Sequence, residues 1–158
     1  MAQIVLQFAD GGDLGSDAIE WFTQGDWSHV DAVMPPFDAT ADLLGARENG
    51  GVKIRPHDYV RFRRTLRVVL PAPDEQAATF YAGLRSELGK PYDKEAILAF
   101  VAGRNWRDPG AWYCSEIDGA WLENVKWFPY QLAAPANKVT PSSLLLAISA
   151  RVEVPTAA

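Results

Sequence analysis

Strand-like runs fill the first half of this 158-residue chain, and helix-like runs fill most of the second. That segregation argues for one α+β domain spanning residues 1–158, built on a mostly antiparallel sheet. Ile4 to Phe8 reads as the first strand, stopped by the turn signal Ala9-Asp10-Gly11-Gly12-Asp13. Ser16 or Asp17 would cap a helix carrying Ile19, Trp21 and Phe22 and ending near Gly25. Trp27 to Met34 reads as a strand closed by Pro35-Pro36, with Trp27, His29, Asp31 and Val33 on one face. Two further strands, Leu43 to Arg47 and Gly51 to Arg55, flank Glu48-Asn49-Gly50, whose Asn-Gly pair signals a hairpin. Thr65 to Leu70 supplies another strand.

Asp74 opens a helix with apolar positions Ala77, Phe80, Tyr81, Leu84 and Leu88, stopped by Gly89. A second helix is expected from about Lys94 to Val101, before the loop Gly103 to Gly110. A third runs from about Tyr113 to Asn124. Thr140-Pro141-Ser142-Ser143 starts a fourth, and Arg151 to Val154 reads as a last strand before frayed terminal residues.

Composition narrows the function. A net charge of −5 gives no basic stripe for nucleic acid. Arg61, Arg63, Arg64 and Arg67 alternate with apolar residues, as on the solvated side of an edge strand. No apolar run approaches the ~20 residues needed to span a bilayer. The N-terminus lacks the basic and apolar regions of a secretory signal, so a cytoplasmic location is the expectation. Signal-independent export or packaging into a virion would leave no mark.

The only cysteine is Cys114, placed where a Gly/Pro/Asp-rich loop becomes a helix. The positive end of a helix favours the thiolate, the attacking form. One cysteine makes no internal disulfide and no Cys-rich metal site, so Cys114 is either a small buried hydrophobe or a nucleophile. A nucleophilic thiol needs a base, and the chain has two histidines. His29 lies in a strand, a rigid platform, whereas His57 follows Pro56 in an exposed turn. His29 is therefore the candidate base, against the plainer reading of a strand histidine satisfied by a neighbour. Asp31 shares its strand face and is the first choice to orient the imidazole; Glu116, two residues after the cysteine, is the second. Tyr92, on the turn Gly89-Lys90-Pro91-Tyr92-Asp93, could steady an oxyanion or simply pack. No ligand spacing for a metal is visible, and no cofactor is expected.

The order of four short motifs carries a resemblance. Trp27-Ser28-His29-Val30, Gly89-Lys90-Pro91-Tyr92-Asp93, Tyr113-Cys114-Ser115-Glu116 and Val139-Thr140-Pro141 resemble the circularly permuted NlpC/p60 group (YiiX/YaeF-like) of papain-like cysteine hydrolases. The His strand comes first here, as in that group. The resemblance implies Cys114 as nucleophile, His29 as general base and acid, and Tyr92 near the oxyanion. It also implies a cysteine helix packed on an antiparallel sheet that bears the histidine. The implied activity is hydrolysis of a peptide or acyl-amide substrate, such as a cell-wall peptide. Many permuted members carry a glutamate in the strand after the His strand. Here Gly45 stands at that place, so the third residue falls to Asp31 or Glu116. The alternatives are a non-catalytic papain-like module binding a peptide, lipid or protein, and an acyl-lipid hydrolase or transferase. Under the binding-module reading, Trp106 would cover the cleft, and part of the cluster Trp121, Trp127, Phe128 and Tyr130 would line a groove.

Overall fold

The computed structural model describes residues 2–11, 25–95, 108 and 110–156. Five strands form one sheet in the order β4-β3-β2-β1-β5: β1 (Gln3–Asp10), β2 (His29–Val33), β3 (Leu43–Arg47), β4 (Gly51–Arg55) and β5 (Arg64–Pro71). Every strand pairing is antiparallel. Three helices are described: α1 (Asp74–Ser86), α2 (Cys114–Asn124) and α3 (Pro141–Ser149). The expected α+β architecture is therefore present.

Period-two alternation decides what each face does. Leu6, Phe8, Val30, Ala32, Leu44 and Ala46 enter the main core, together with Phe80 and Leu84 of α1, Ile117 and Leu122 of α2, and Leu144 of α3. Val5, Val33 and Leu43 belong to a second, smaller cluster that Tyr59 and Phe62 pack against. β2 is thus buried on both faces, and its His29 and Asp31 lie on the side away from the main core. Of the arginine-rich run, Arg64 and Arg67 fall on the edge strand β5, while Arg61 and Arg63 precede it. Arg63 and Arg64 pair with Asp10, and Arg67 donates to Gln7.

Several boundaries differ from the sequence reading. β2 starts at His29 rather than Trp27, because Trp27 packs into the main core and its backbone N–H turns to Ser142 Oγ at 3.2 Å. α1 stops at Ser86, so Leu88 is 42% exposed instead of helical and packed. Residues 151–154 form a turn and irregular chain rather than a strand, with no sheet partner among the described residues. Trp127 and Phe128 are core, Trp121 packs over Gly83, and Tyr130 is exposed. The expected helix near residues 16–25, most of that near 94–101, and Trp106 with nearly all of its loop lie outside the described residues.

Two glycines shape the end of the sheet nearest the cysteine. Gly50 takes φ 95°, as the Asn-Gly turn requires, and the three-residue loop Glu48-Asn49-Gly50 joins β3 to β4. Gly51 takes φ 67°, and a Cβ there would lie 2.1 Å from the Lys90 carbonyl oxygen. That approach lets the Val52 N–H donate to Lys90 O at 2.9 Å while the Gly89 N–H donates to Val52 O at 3.0 Å. The turn carrying Tyr92 is thereby stitched to β4. Gly51→Ala is expected to destabilise the fold by about 2 kcal/mol or more, from left-handed strain plus the clash. Urea unfolding at equilibrium measures it.

Candidate active site

Four segments far apart in the chain meet at the N-terminus of α2. The Tyr113 hydroxyl and Ser115 Oγ donate to Val139 O at 2.9 and 2.6 Å, tying the Val139-Thr140-Pro141 segment to the cysteine helix. Thr140 then caps α3: its Oγ1 accepts from Ser143 N at 3.1 Å, with Pro141 in the first turn. Ser142 in turn holds Trp27, two residues before His29. The Tyr92 segment runs parallel to Trp112, with Asp93 N donating to Trp112 O at 3.0 Å and Trp112 N to Pro91 O at 3.0 Å. Each motif is short, but together they build one place.

β2 delivers the histidine and its carboxylate. His29 Nε2 donates to Asp31 Oδ2 at 2.9 Å, so the two same-face side chains do touch. Room for that contact comes from the neighbouring strand. A Cβ at Gly45 would lie 1.9 Å from Asp31 Oδ1, which means that Asp31 occupies the space a side chain at position 45 would take. The Tyr59 hydroxyl donates to Asp31 Oδ2 at 2.9 Å and accepts from Arg47 Nη1 at 2.9 Å. Phe62 stacks on the His29 ring with centroids 6.5 Å apart. The imidazole is therefore held by a carboxylate at one nitrogen and by an aromatic face.

Cys114 is the first residue of α2, and its thiol lies close enough to the His29 imidazole for each to shift the other's proton affinity. With Nε2 committed to Asp31, Nδ1 is the ring nitrogen left for sulfur. The sulfur lies 4.0 Å from Ser28 O, so it rests on the backbone at the start of β2. Burial opposes charge on the thiol, yet the neighbouring imidazolium brings Cys114 below its ordinary value. Burial likewise opposes the imidazolium, but Asp31 and the Cys114 thiolate outweigh it and raise His29 to about 9. Asp31 is held below the usual carboxylate range: burial pushes it up, and His29 and Tyr59 more than offset that. All three shifts run in the direction of a thiolate–imidazolium–carboxylate row.

Tyr92 comes to the same place. Burial and then the Cys114 charge raise its phenol, so it remains a neutral donor near neutral pH. Glu116 does not join His29. It is fully buried, and its Oε2 accepts from Tyr113 N at 3.5 Å, at the first turn of its own helix. The charges acting on His29 are those of Asp31 and Cys114. His57 sits half-buried in a turn, apart from this cluster.

Sequence reasoning missed Tyr59, Arg47, Phe62 and Asp118. The first three had no detectable signal, because Tyr59 and Phe62 reach His29 and Asp31, and Arg47 reaches Tyr59, only through pairing of β3 and folding of the 56–63 segment. Asp118 had one: it lies four residues after Cys114, hence on the same helix face. Its carboxyl is fully buried, with neither oxygen hydrogen-bonded among the described residues. Burial first, then the charges of Asp31 and Cys114, hold it well above the carboxylate range. The carboxylate that His29 meets is Asp31.

Among the described residues no three His, Cys, Asp or Glu side chains cluster as metal ligands. No described helix is long and apolar enough to cross a membrane. No protein-family model and no curated protein matches the chain. The chemistry of this cluster therefore has to be read from its own geometry.

Proposed function

We propose that this chain is a cysteine hydrolase, of the papain-like permuted NlpC/p60 kind, that cleaves an amide bond through an acyl-enzyme. One observation carries the reading: a thiol at a helix N-terminus, resting against the start of β2, neighbours an imidazole whose Nε2 donates to Asp31 at 2.9 Å. In the reaction the Cys114 thiolate attacks the substrate carbonyl carbon. The Cys114 backbone N–H and the Tyr92 hydroxyl are the donors available to the oxyanion. His29 gives its proton to the leaving amine as the C–N bond breaks and the thioester remains. Water then attacks the thioester, His29 takes the water's proton, and the acid departs as the C–S bond breaks and the thiolate re-forms. Asp31 keeps the imidazole in one orientation and supports its charge. The substrate class is a peptide or acyl amide, with a cell-wall peptide as the first choice by resemblance.

The test is turnover of a set of cell-wall peptides and acyl lipids by wild type and Cys114→Ala. Wild type should release the new amine and Cys114→Ala should not, while stability falls by about 1 kcal/mol or less. Retained turnover in Cys114→Ala would sink the mechanism. Burial of the thiol, 3% exposed, favours the second reading, a non-catalytic module of the same architecture. In that case no amide is cleaved, and Cys114 behaves as an ordinary buried thiol.

A further inference from the structure

Residues 56–63 connect β4 to β5, the two opposite edges of the sheet, so this strap has to cross the strands between them. It crosses on the face that bears His29 and Asp31, where Tyr59 and Phe62 pack. Tyr59 is fixed from several sides. The guanidiniums of Arg47 and Arg55 lie over its ring at 5.2 and 5.6 Å, and Phe62 meets it edge-on at 5.7 Å. Arg47 Nη1 also reaches the Tyr59 hydroxyl at 2.9 Å. A guanidinium only donates, so the phenol oxygen accepts from Arg47 and its single hydrogen is left for Asp31 Oδ2, 2.9 Å away. His29 Nε2 stands farther from that oxygen, at 3.4 Å.

Asp31 is held unevenly. Its Oδ2 accepts from both His29 and Tyr59. Its buried Oδ1 accepts no hydrogen bond among the described residues and lies in the space a side chain at Gly45 would fill. With His29 as its one donor, nothing would stop the carboxylate turning about χ2. We propose that Tyr59 is a positioning residue: directed by Arg47, its hydroxyl locks Asp31 onto His29 Nε2, so that the strap completes the site. The inference rests on the hydrolase reading, which gives an oriented imidazole its purpose, and deepens it by naming the group that orients the carboxylate. Tyr59 acts through Asp31 and exchanges no proton with the reacting atoms.

The test is the titration of His29, followed by histidine NMR in wild type, Tyr59→Phe, Asp31→Asn and the double variant. His29→Ala assigns its signal against that of His57. The titration needs no substrate, so it is decided apart from turnover, which tests the hydrolase reading. The groups around His29 are Asp31 of its own strand, Cys114 and Asp118 of α2, Tyr59 of the strap and Arg47 behind it. Tyr59→Phe removes one hydroxyl from that set and keeps the ring. Wild type should titrate near 9. With the hydroxyl gone, the midpoint should fall by about one pH unit, in the same direction as in Asp31→Asn and by less. In the Asp31→Asn background Tyr59→Phe should move it no further, because the carboxylate through which it acts is gone. A hydroxyl that merely shares the carboxylate's charge with the imidazole gives the opposite sign, since its removal strengthens the remaining bond and raises the midpoint. A rise, no change, an equal fall with and without Asp31, or a wild-type midpoint at the ordinary ~6.5 overturns the proposal. Should the Phe variant not fold, wild type decides: a Tyr59 hydroxyl proton bonded to Asp31 exchanges slowly with water and shows a cross-peak to the His29 Nε2 proton. Its absence overturns the proposal as well.

Discussion

His29→Ala is expected to slow iodoacetamide alkylation of Cys114 at pH 6.5 by about a hundredfold. On the wild-type thiol burial is the largest influence and disfavours charge, and His29 is the main influence that offsets it. Removing the imidazole leaves burial and the Asp31 charge against ionisation, with only the Val30 N–H in its favour. A thiol at or above the ordinary ~8.5 is about 1% ionised or less at pH 6.5. Wild type should instead react well below that value, in a plateau that falls only as the lowered thiol itself takes up a proton. The upper end behaves differently for alkylation and for catalysis. Above about 9 His29 loses its proton, so the thiolate remains while the general acid disappears. Alkylation should therefore hold at high pH, whereas amide hydrolysis should decline through about 9. Asp31→Asn removes the charge that supports the imidazolium, so that decline should move to lower pH. A slow alkylation, indifferent to His29, would return Cys114 to the status of a buried hydrophobe.

Gly45→Ala is expected to disable the site without touching any residue that meets substrate. The new Cβ would need the space of Asp31 Oδ1, 1.9 Å away, so the carboxylate must swing off His29 Nε2. Turnover should fall by about tenfold to a hundredfold, and stability by about 1–3 kcal/mol from overpacking. Asp31 and Gly45 face each other across β2 and β3, which makes a carboxylate exchange testable. Gly45→Glu alone crowds Asp31 and should be nearly inactive. Asp31→Gly with Gly45→Glu places one carboxylate opposite one glycine again and should recover part of the lost activity. That arrangement is the one the permuted NlpC/p60 resemblance implies for many of its members. Recovery in the double variant, absent from either single one, would show as a large coupling in a double-mutant cycle. Additive losses would mean that Asp31 does not act through the space Gly45 leaves.

The strands were legible because half-buried antiparallel sheets alternate in sequence, and Asn49-Gly50 marked its hairpin through a backbone conformation that favours glycine. α3 was legible from Thr140 and Pro141, whose cap and ring preorganise a first turn. The errors lie at ends. Leu88 fits the apolar period of α1, but the helix stops two residues earlier, at Ser86. Residues 151–154 alternate like a strand, yet no sheet edge is near enough to pair with them among the described residues. Local pattern states what a segment could be, and only a partner decides whether it is.

The same division runs through the candidate site. Sequence alone established an α+β chain with one cysteine at a helix start and one strand-borne histidine, because these follow from local periodicity and capping chemistry. It also left Asp31 and Glu116 as rivals, since spacing puts each near a reactive group without saying which way it turns. Tertiary structure decided that choice through packing. Glu116 is drawn to its own helix terminus, while Asp31 is pressed toward His29 by the space above Gly45 and by Tyr59. Tyr59, Phe62 and Arg47 entered only there, brought by strand pairing and by the 56–63 segment closing over β2. Their contacts with His29, its carboxylate and one another join residues 12 to 33 positions apart, and no short-range pattern records a distance of that kind.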